Sequence, residues 1–224
     1  NFIKGLLFPN TKGYRTSPTL LGFTARHLFG PELLSANARR REFFVDAWRS
    51  APQVWSHLQK TQWTDLMTSL PDNLLVKADR LLMASSLEGR VPFLDHRIVE
   101  FGMSLPDQLK VQGKQGKVFL KQWAENLIPK EHLYAKKRGF HVPVGEWLQG
   151  EYRKRLCELL PQHRSVREWF RPAGVEKLLS SYGSRGAKSR MVWAMLQFAV
   201  WYELFIEGDG SRPDSRTDPF DLIA

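Results

Sequence analysis

Three adjacent cations at positions 136–138, in the stretch HLYAKKRGFHVP, form the segment best suited to bind an anion. Lys136, Lys137 and Arg138 carry the charge, and Gly139 and Phe140 follow directly. Ammonium and guanidinium groups both bind phosphate oxygens, and a glycine lets the backbone pass close to a ligand. A Lys-Lys-Arg run in a loop is also typical of an ordinary solvated surface, so its chemistry depends on what surrounds it.

A second unusual stretch, SSLEGRVPFLD, places charges in an otherwise apolar run at positions 85–95. Charged side chains are rarely buried unless they are paired. Glu88 and Arg90 can pair with each other or with free backbone groups at a helix end, and Asp95 stands where an N-cap belongs. Together with Asp79, we expect these residues to form a buried or half-buried polar cluster that braces the helix turn, and Arg90→Ala to misfold. Direct contact with a substrate is the alternative for Glu88 and Arg90.

Composition describes a globular chain of 224 residues, with 42% hydrophobic and 25% charged residues. The net charge of +10 invites a nucleic-acid interpretation, but the basic clusters lie far apart among acidic residues, which makes nucleic-acid binding a minor alternative. A single cysteine and dispersed histidines predict neither a disulfide nor a metal site. Because no apolar run is long enough to span a bilayer and no secretory signal is recognisable, we expect a cytoplasmic protein without a membrane partner.

The first half of the chain predicts helices that begin at proline or aspartate. One is expected from Pro31, and a second from Pro71 that Gly89 and Pro92 bring to an end. Asp95 is predicted to cap a third helix, which ends at Pro106. Leu109 and Val111 are consistent with either a short strand or an extended loop.

The second half predicts a helix from about Lys117 to Pro129, a loop over 132–143, and three short helices. These short helices are expected near 144–148, 151–160 and 173–180. Residues 189–207 are apolar nearly all round and predict a buried core helix. The tail after 207 is rich in Gly, Pro and Asp and is expected to fray. The fold is therefore mainly α, without βαβ alternation or a glycine-rich nucleotide motif.

Residues 70–147 resemble the C-terminal part of the synthetase domain of glutamine-dependent asparagine synthetases. The family phrase K-x-D-R-x-x-M-x-x-S-L-E-x-R-x-P-F-L-D is followed by a loop K-x-G-F-x-x-P-x-x-x-W-L. Matching residues in this sequence are Lys77, Asp79, Arg80, Met83, Ser86, Leu87, Glu88, Arg90, Pro92, Phe93, Leu94, Asp95, Lys137, Gly139, Phe140, Pro143, Trp147 and Leu148. The tryptophan-rich segment MVWAMLQFAVWYELF is similar to the family's closing helix.

The resemblance implies that residues 1–206 are the helical C-terminal portion of a PP-loop (adenine nucleotide α-hydrolase-like) α/β domain, with a flexible tail at 207–224. It implies adenylation of the aspartate side chain by ATP with Mg²⁺, then attack by glutamine-derived ammonia. Lys137 is the implied catalytic cation, within an active-site loop that also contains Lys136, Arg138, Gly139 and Phe140. Upstream PP-loop and glutaminase segments are the implied partners. Neither motif occurs in this sequence, so we expect the chain to be inactive alone.

Because of two departures from the family pattern, the resemblance does not determine which acyl substrate the protein uses. Ala135 and Lys121 stand where family members commonly carry arginine. Related enzymes of the β-lactam synthetase and peptide-cyclase type also form an acyl-adenylate on this fold. A non-catalytic partner subunit is a further alternative, against which the retained K-x-G-F loop argues.

Overall fold

A computed structural model describes residues 26–136, 142–209, 213–214 and 216–224 of the chain. The chain divides into two compact units, each mainly helical. Unit 1 comprises the described residues 40–136, and unit 2 comprises the described residues of 26–39 and 142–224. Among these residues, the structure contains no helix long and apolar enough to cross a membrane.

Unit 1 consists of short helices and one two-stranded hairpin. Its first helix begins in unit 2 at Pro31 and continues into unit 1. The bounds of the elements are α1 Pro31–Ser50, α2 His57–Met67, π1 Leu70–Leu75, α3 Val76–Met83, 3₁₀ Pro92–Leu94, α4 His96–Ser104, α5 Asp107–Lys110, β1 Val111–Gln112, β2 Gln115–Gly116, α6 Val118–Ala124 and α7 Lys130–Leu133. Val111 pairs with Gly116 in the antiparallel hairpin, so the strand alternative is confirmed at Val111, whereas Leu109 is helical.

Helix α3 ends earlier than the sequence predicts, at Met83 rather than before Gly89. Ser86 adopts a left-handed conformation with φ 57°. Its N–H donates to the Met83 carbonyl, and the Leu87 N–H donates to the Leu82 carbonyl, each at 3.0 Å. This 6→1 and 5→2 pair is a Schellman ending, in which serine occupies the position usually held by glycine. The prediction missed it because serine rarely takes that conformation.

A buried lysine connects three elements of unit 1. Lys110 is only 7% exposed, and its Nζ donates to Gln62 Oε1 on α2 at 3.0 Å and to the Met103 carbonyl on α4 at 2.8 Å. Burial lowers the pKa of this ammonium group, and the nearby Asp107 carboxylate opposes part of that change by raising it. Two oxygen acceptors therefore compensate a cation that has lost its water.

Unit 2 contains the main hydrophobic core, and five of its helices and a second π-helix follow residue 142 in the chain. Their bounds are α8 Val144–Trp147, α9 Glu151–Leu159, α10 Arg164–Trp169, α11 Pro172–Ser181, α12 Ala187–Tyr202 and π2 Glu203–Glu207. Helix α12 alone buries Met191, Val192, Met195, Leu196 and Ala199. The predicted core helix is thus confirmed, although it changes to π geometry at Glu203.

The end of the chain packs onto α9 instead of fraying along its length. Phe220 and Ile223 are buried in the core of unit 2. Phe220 stacks on Tyr152, with ring centroids 5.5 Å apart, while Arg155 holds Asp218 at 2.6 Å and Asp221 at 2.9 Å. The composition of the tail did not predict this packing, because two apolar residues and two well-placed aspartates outweigh its many turn formers.

Candidate functional site

The predicted active-site loop lies almost entirely outside the described residues. Lys137, Arg138, Gly139 and Phe140 belong to the segment 137–141, for which the structure gives no description. Lys136, the last described residue before it, is exposed. The catalytic role of Lys137 therefore stays a prediction.

A polar cluster fixes the chain just before this loop. The Tyr134 hydroxyl donates to Glu125 Oε1 at 2.5 Å, and Lys130 Nζ lies 2.8 Å from Glu125 Oε2. The hydrogen bond from Lys130, followed by that from Tyr134, lowers the pKa of Glu125. The same carboxylate raises the pKa of Lys130 and, through its hydrogen bond, that of Tyr134. The carboxylate is thus kept ionised and the phenol protonated near neutral pH.

The sequence interpretation missed this cluster, and it also predicted a loop where part of α7 forms. Pro129 begins α7 at the N-cap and the Tyr134 N–H donates to the Lys130 carbonyl at 2.9 Å, so residues 130–134 are ordered by local hydrogen bonds. The sequence offered one signal for the ion pair: Glu125 and Lys130 carry opposite charges and lie on either side of Pro129. No helical period was visible because the helix is only one turn long.

Lys121, one of the two departures from the family pattern, packs on the same cluster. Its Nζ lies 5.3 Å from the centroid of the Tyr134 ring, within the range of a cation–π contact. The ammonium group therefore contacts the face of the tyrosine whose hydroxyl binds Glu125. Ala135, the other departure, is exposed.

Of the four residues predicted to form a buried or half-buried polar cluster, Asp95 is half-buried, whereas Asp79, Glu88 and Arg90 are exposed, so the prediction is wrong for these three. Glu88 and Arg90 pair at 3.0 Å, as predicted, but their side chains are 70% and 83% exposed. Asp79 is also exposed. The exposure of these side chains extends to the whole region, because no residue from Ser69 to Leu109, all of them described, is buried. Misfolding of Arg90→Ala is accordingly not expected in this chain.

Asp95 caps helix α4, which confirms its predicted structural role. Its Oδ1 accepts from the Arg97 backbone N–H at 3.0 Å, and the Arg97 guanidinium binds both carboxylate oxygens at 3.0 Å. The bond from the Arg97 side chain, then that from its backbone, lowers the pKa of Asp95. Arg97 was missed as a partner, although an arginine two residues after an N-cap aspartate is well placed to reach it.

No metal site is apparent in the part of the chain that the structure describes. There, no group of three or more His, Cys, Asp or Glu side chains is arranged to hold an ion.

Comparison with known proteins identifies the family. A sequence profile described as "Asparagine synthase" matches residues 11–203. Asparagine synthetase [glutamine-hydrolyzing] 1 of Bacillus subtilis is 31% identical over 153 residues, which are 68% of this chain and 24% of that relative. A putative asparagine synthetase of Mycobacterium tuberculosis is 32% identical over 154 residues, again 68% and 24% of the two chains. The human asparagine synthetase is 44% identical over 70 residues, or 30% and 12%.

No solved structure matches the chain. The chain belongs to the asparagine synthase family and corresponds to part of a synthetase domain. It spans about a quarter of the length of its bacterial relatives.

Proposed function

We propose that this protein is the helical C-terminal portion of a PP-loop synthetase domain in an ATP-dependent amidotransferase. The complete enzyme converts aspartate, ATP and glutamine-derived ammonia to asparagine, AMP and pyrophosphate. The observation that carries this proposal is the family match over residues 11–203, which includes both the S-L-E-x-R-x-P-F-L-D segment and the K-x-G-F loop.

Lys137 is proposed as the catalytic cation of this reaction. Negative charge develops on the phosphoryl oxygens and on the departing pyrophosphate during adenylyl transfer, and a positioned cation stabilises it. A lysine is suited to this task because its ammonium group is a compact charge with three rotatable donors. Gly139 allows close approach of the loop backbone, while Lys136 and Arg138 add to the positive field.

The remaining chemistry is assigned to segments that this sequence does not contain. The sequence has no PP-loop of the type S-G-G-x-D-S. We assign nucleotide binding and the glutamine-hydrolysing cysteine to upstream segments, with ATP acting together with Mg²⁺, and we expect the 224-residue chain to be inactive by itself.

A chimera tests the proposal. The region of Bacillus subtilis asparagine synthetase 1 that matches this protein is replaced with the corresponding residues of this chain, and aspartate-dependent ATP–pyrophosphate exchange is measured. We expect exchange above background, and a loss of about 10²-fold or more in kcat for Lys137→Ala, the order found when one preorganised charge-stabilising group is removed. Lys114→Ala, at an exposed lysine in the hairpin turn, is the matched control.

Two results would contradict the assignment. A correctly folded chimera without exchange for aspartate would place the chain with a non-catalytic subunit, or with a relative that uses another acyl substrate. Full activity of the Lys137→Ala chimera would remove this lysine from the catalytic machinery while leaving the family membership intact.

A further inference from the structure

We propose that the hydrogen bond between Tyr134 and Glu125 positions Lys137 for adenylyl transfer, so that Tyr134 and Glu125 are positioning residues of the reaction. The catalytic role of Lys137 rests on the proposed function, whereas the bond itself is a contact between two described residues.

Tyr134 stands only three residues before Lys137 in the sequence. Each residue advances an extended backbone by at most about 3.6 Å, so the two Cα atoms lie within about 11 Å of each other whatever the conformation between them. A shift of Tyr134 therefore reaches the lysine through few intervening torsions. Such a shift matters for catalysis, because a misplacement of about 1 Å can lower a rate about 10²-fold.

Glu125 is a firm point of attachment because helix α6 holds it. It is the C-cap of α6, and the helix buries Val118 near its beginning and Ala124 at its end. The Glu125 carboxylate is 27% exposed, accepts from the Tyr134 hydroxyl at 2.5 Å, and lies 2.8 Å from Lys130 Nζ through its other oxygen. Hydrogen bonds to an ionised acceptor are about twice as strong as those between neutral groups. Tyr134 is thus attached to the end of a packed helix.

A second contact holds the ring of Tyr134 against the same helix. Lys121, one turn before Glu125 on α6, places its Nζ 5.3 Å from the ring centroid. Because the ammonium group contacts the face of the ring and the carboxylate binds the hydroxyl at its edge, the two contacts define the orientation of the side chain. Phenylalanine would keep the contact with Lys121 and lose the bond to Glu125, so the hydrogen bond can be tested alone.

The charges around Tyr134 do not oppose the binding of an anion at the following loop. The Glu125 carboxylate is negative, but Lys130 pairs with it and Lys121 adds a second positive charge beside the tyrosine ring. Two cations against one carboxylate leave this part of the chain positive. A carboxylate can therefore hold Tyr134 here without repelling a phosphate group nearby.

The exposure of Tyr134 separates its contribution to position from its contribution to stability. The residue is 40% exposed, so water can reach the groups that its hydroxyl contacts. Removal of the hydroxyl leaves no buried polar group without a partner, which is the loss that destabilises a fold most. A loss of activity in a Tyr134 variant would accordingly not be a consequence of unfolding.

The chimera with Bacillus subtilis asparagine synthetase 1 provides the first test. Tyr134→Phe removes the donor, and Glu125→Ala removes the acceptor while leaving Lys130, whose side chain is 69% exposed, in contact with water. Each variant is expected to lower kcat of aspartate-dependent ATP–pyrophosphate exchange about 10- to 100-fold. The KM values for ATP and aspartate should change less than about twofold, because the effect is exerted through Lys137. Tyr152→Phe, at a tyrosine 51% exposed in unit 2, is the matched control and should keep the kcat of the unsubstituted chimera.

A double variant shows whether the effect passes through Lys137. Once Lys137→Ala has removed the cation, the addition of Tyr134→Phe should lower kcat by less than about twofold more. A loss equal to the product of the two single losses would show independent action and refute the positioning role. The melting temperature of the Tyr134→Phe chimera should stay within about 4 °C of that of the unsubstituted chimera, as for the loss of one exposed hydrogen bond.

Hydrogen exchange tests the attachment in the 224-residue chain without requiring activity. The Tyr134 N–H donates to the Lys130 carbonyl at 2.9 Å, and the Leu133 N–H donates to the Pro129 carbonyl at 3.2 Å. Tyr134→Phe should raise the exchange rates of these two amides about three- to tenfold, which corresponds to the loss of one hydrogen bond. The amides of α4, elsewhere in unit 1, should exchange at unchanged rates.

The outcomes distinguish failure of this inference from failure of the proposed function. If Lys137→Ala abolishes exchange of pyrophosphate while Tyr134→Phe stays within about twofold of the unsubstituted chimera, the positioning role is refuted and the proposed function stands. A folded chimera without any pyrophosphate exchange would contradict the proposed function and, with it, the role towards Lys137, even where hydrogen exchange shows that the bond to Glu125 orders residues 133–134.

Discussion

Replacing Lys110 with methionine is expected to destabilise unit 1 by about 2 kcal/mol. The lysine loses two hydrogen bonds made by a charged donor, each worth about 1.5–3 kcal/mol, and the Met103 carbonyl loses a partner. Part of this loss is offset because the variant no longer buries an ammonium group. Methionine retains the apolar stem, so packing changes little.

The destabilisation should grow as the pH rises towards the ordinary pKa of lysine. Burial lowers the pKa of Lys110 in the folded chain, so between that lowered value and about 10.4 the unfolded chain binds more protons. The free energy of unfolding of the wild type therefore increases with pH across this window. Lys110→Met lacks that increase, and the difference between the two proteins widens.

Urea denaturation followed by circular dichroism at several pH values measures this difference, and hydrogen exchange of the segment 103–112 localises it. Lys114→Met, at an exposed lysine nearby, serves as the control. If Lys110→Met matched the wild type within about 0.5 kcal/mol at every pH, the inference that Lys110 connects α2, α4 and α5 energetically would be refuted.

Three further changes test other parts of the structure. Asp95→Ala should destabilise α4 at neutral pH. Because Arg97 lowers the pKa of Asp95, the stabilisation by this carboxylate is present above about pH 3.9 and is lost as the pH falls through the pKa of the folded chain. A pH series of thermal melts would show this loss, and the melting temperature of Asp95→Asn should depend less on pH. Phe220→Ala should cost about 3–5 kcal/mol in urea unfolding, whereas the exposed Phe205→Ala should cost less than about 0.5; equal losses would contradict docking of the tail. Gly145→Ala should cost about 1–3 kcal/mol because its Cβ would meet the Ser184 carbonyl and Ser189 Oγ, whereas Gly183→Ala, with open space around it, should be tolerated.

Local rules predicted the helix boundaries where a single residue decides them. Pro31 begins α1 and Asp95 caps α4, as the sequence indicated. Both effects act within one turn of the helix, so they do not depend on the rest of the fold. The prediction failed at Ser86, where two backbone hydrogen bonds to α3 stabilise a conformation that serine seldom adopts.

The sequence indicated which residues form the candidate site, but not most of the contacts between them. The pairing of Glu88 with Arg90 followed from their spacing, since both lie in one short segment. The contacts of Tyr134 with Glu125 and Lys121 join residues nine and thirteen positions apart across Pro129, and no periodic pattern connects them. Such contacts require the path of the chain between α6 and α7, which sequence spacing alone does not specify.

Burial shows most clearly what local sequence leaves undetermined. Leu81 in α3 and Leu196 in α12 are leucines in apolar helical segments, yet Leu81 is 66% exposed and Leu196 only 4%. Leu196 meets other helices of unit 2, whereas none of the described residues covers Leu81 to that extent. Apolar residues occur in both helices, so the sequence pattern alone does not specify which leucine other helices of the chain cover. Only the structure of the described residues shows how far each one is buried.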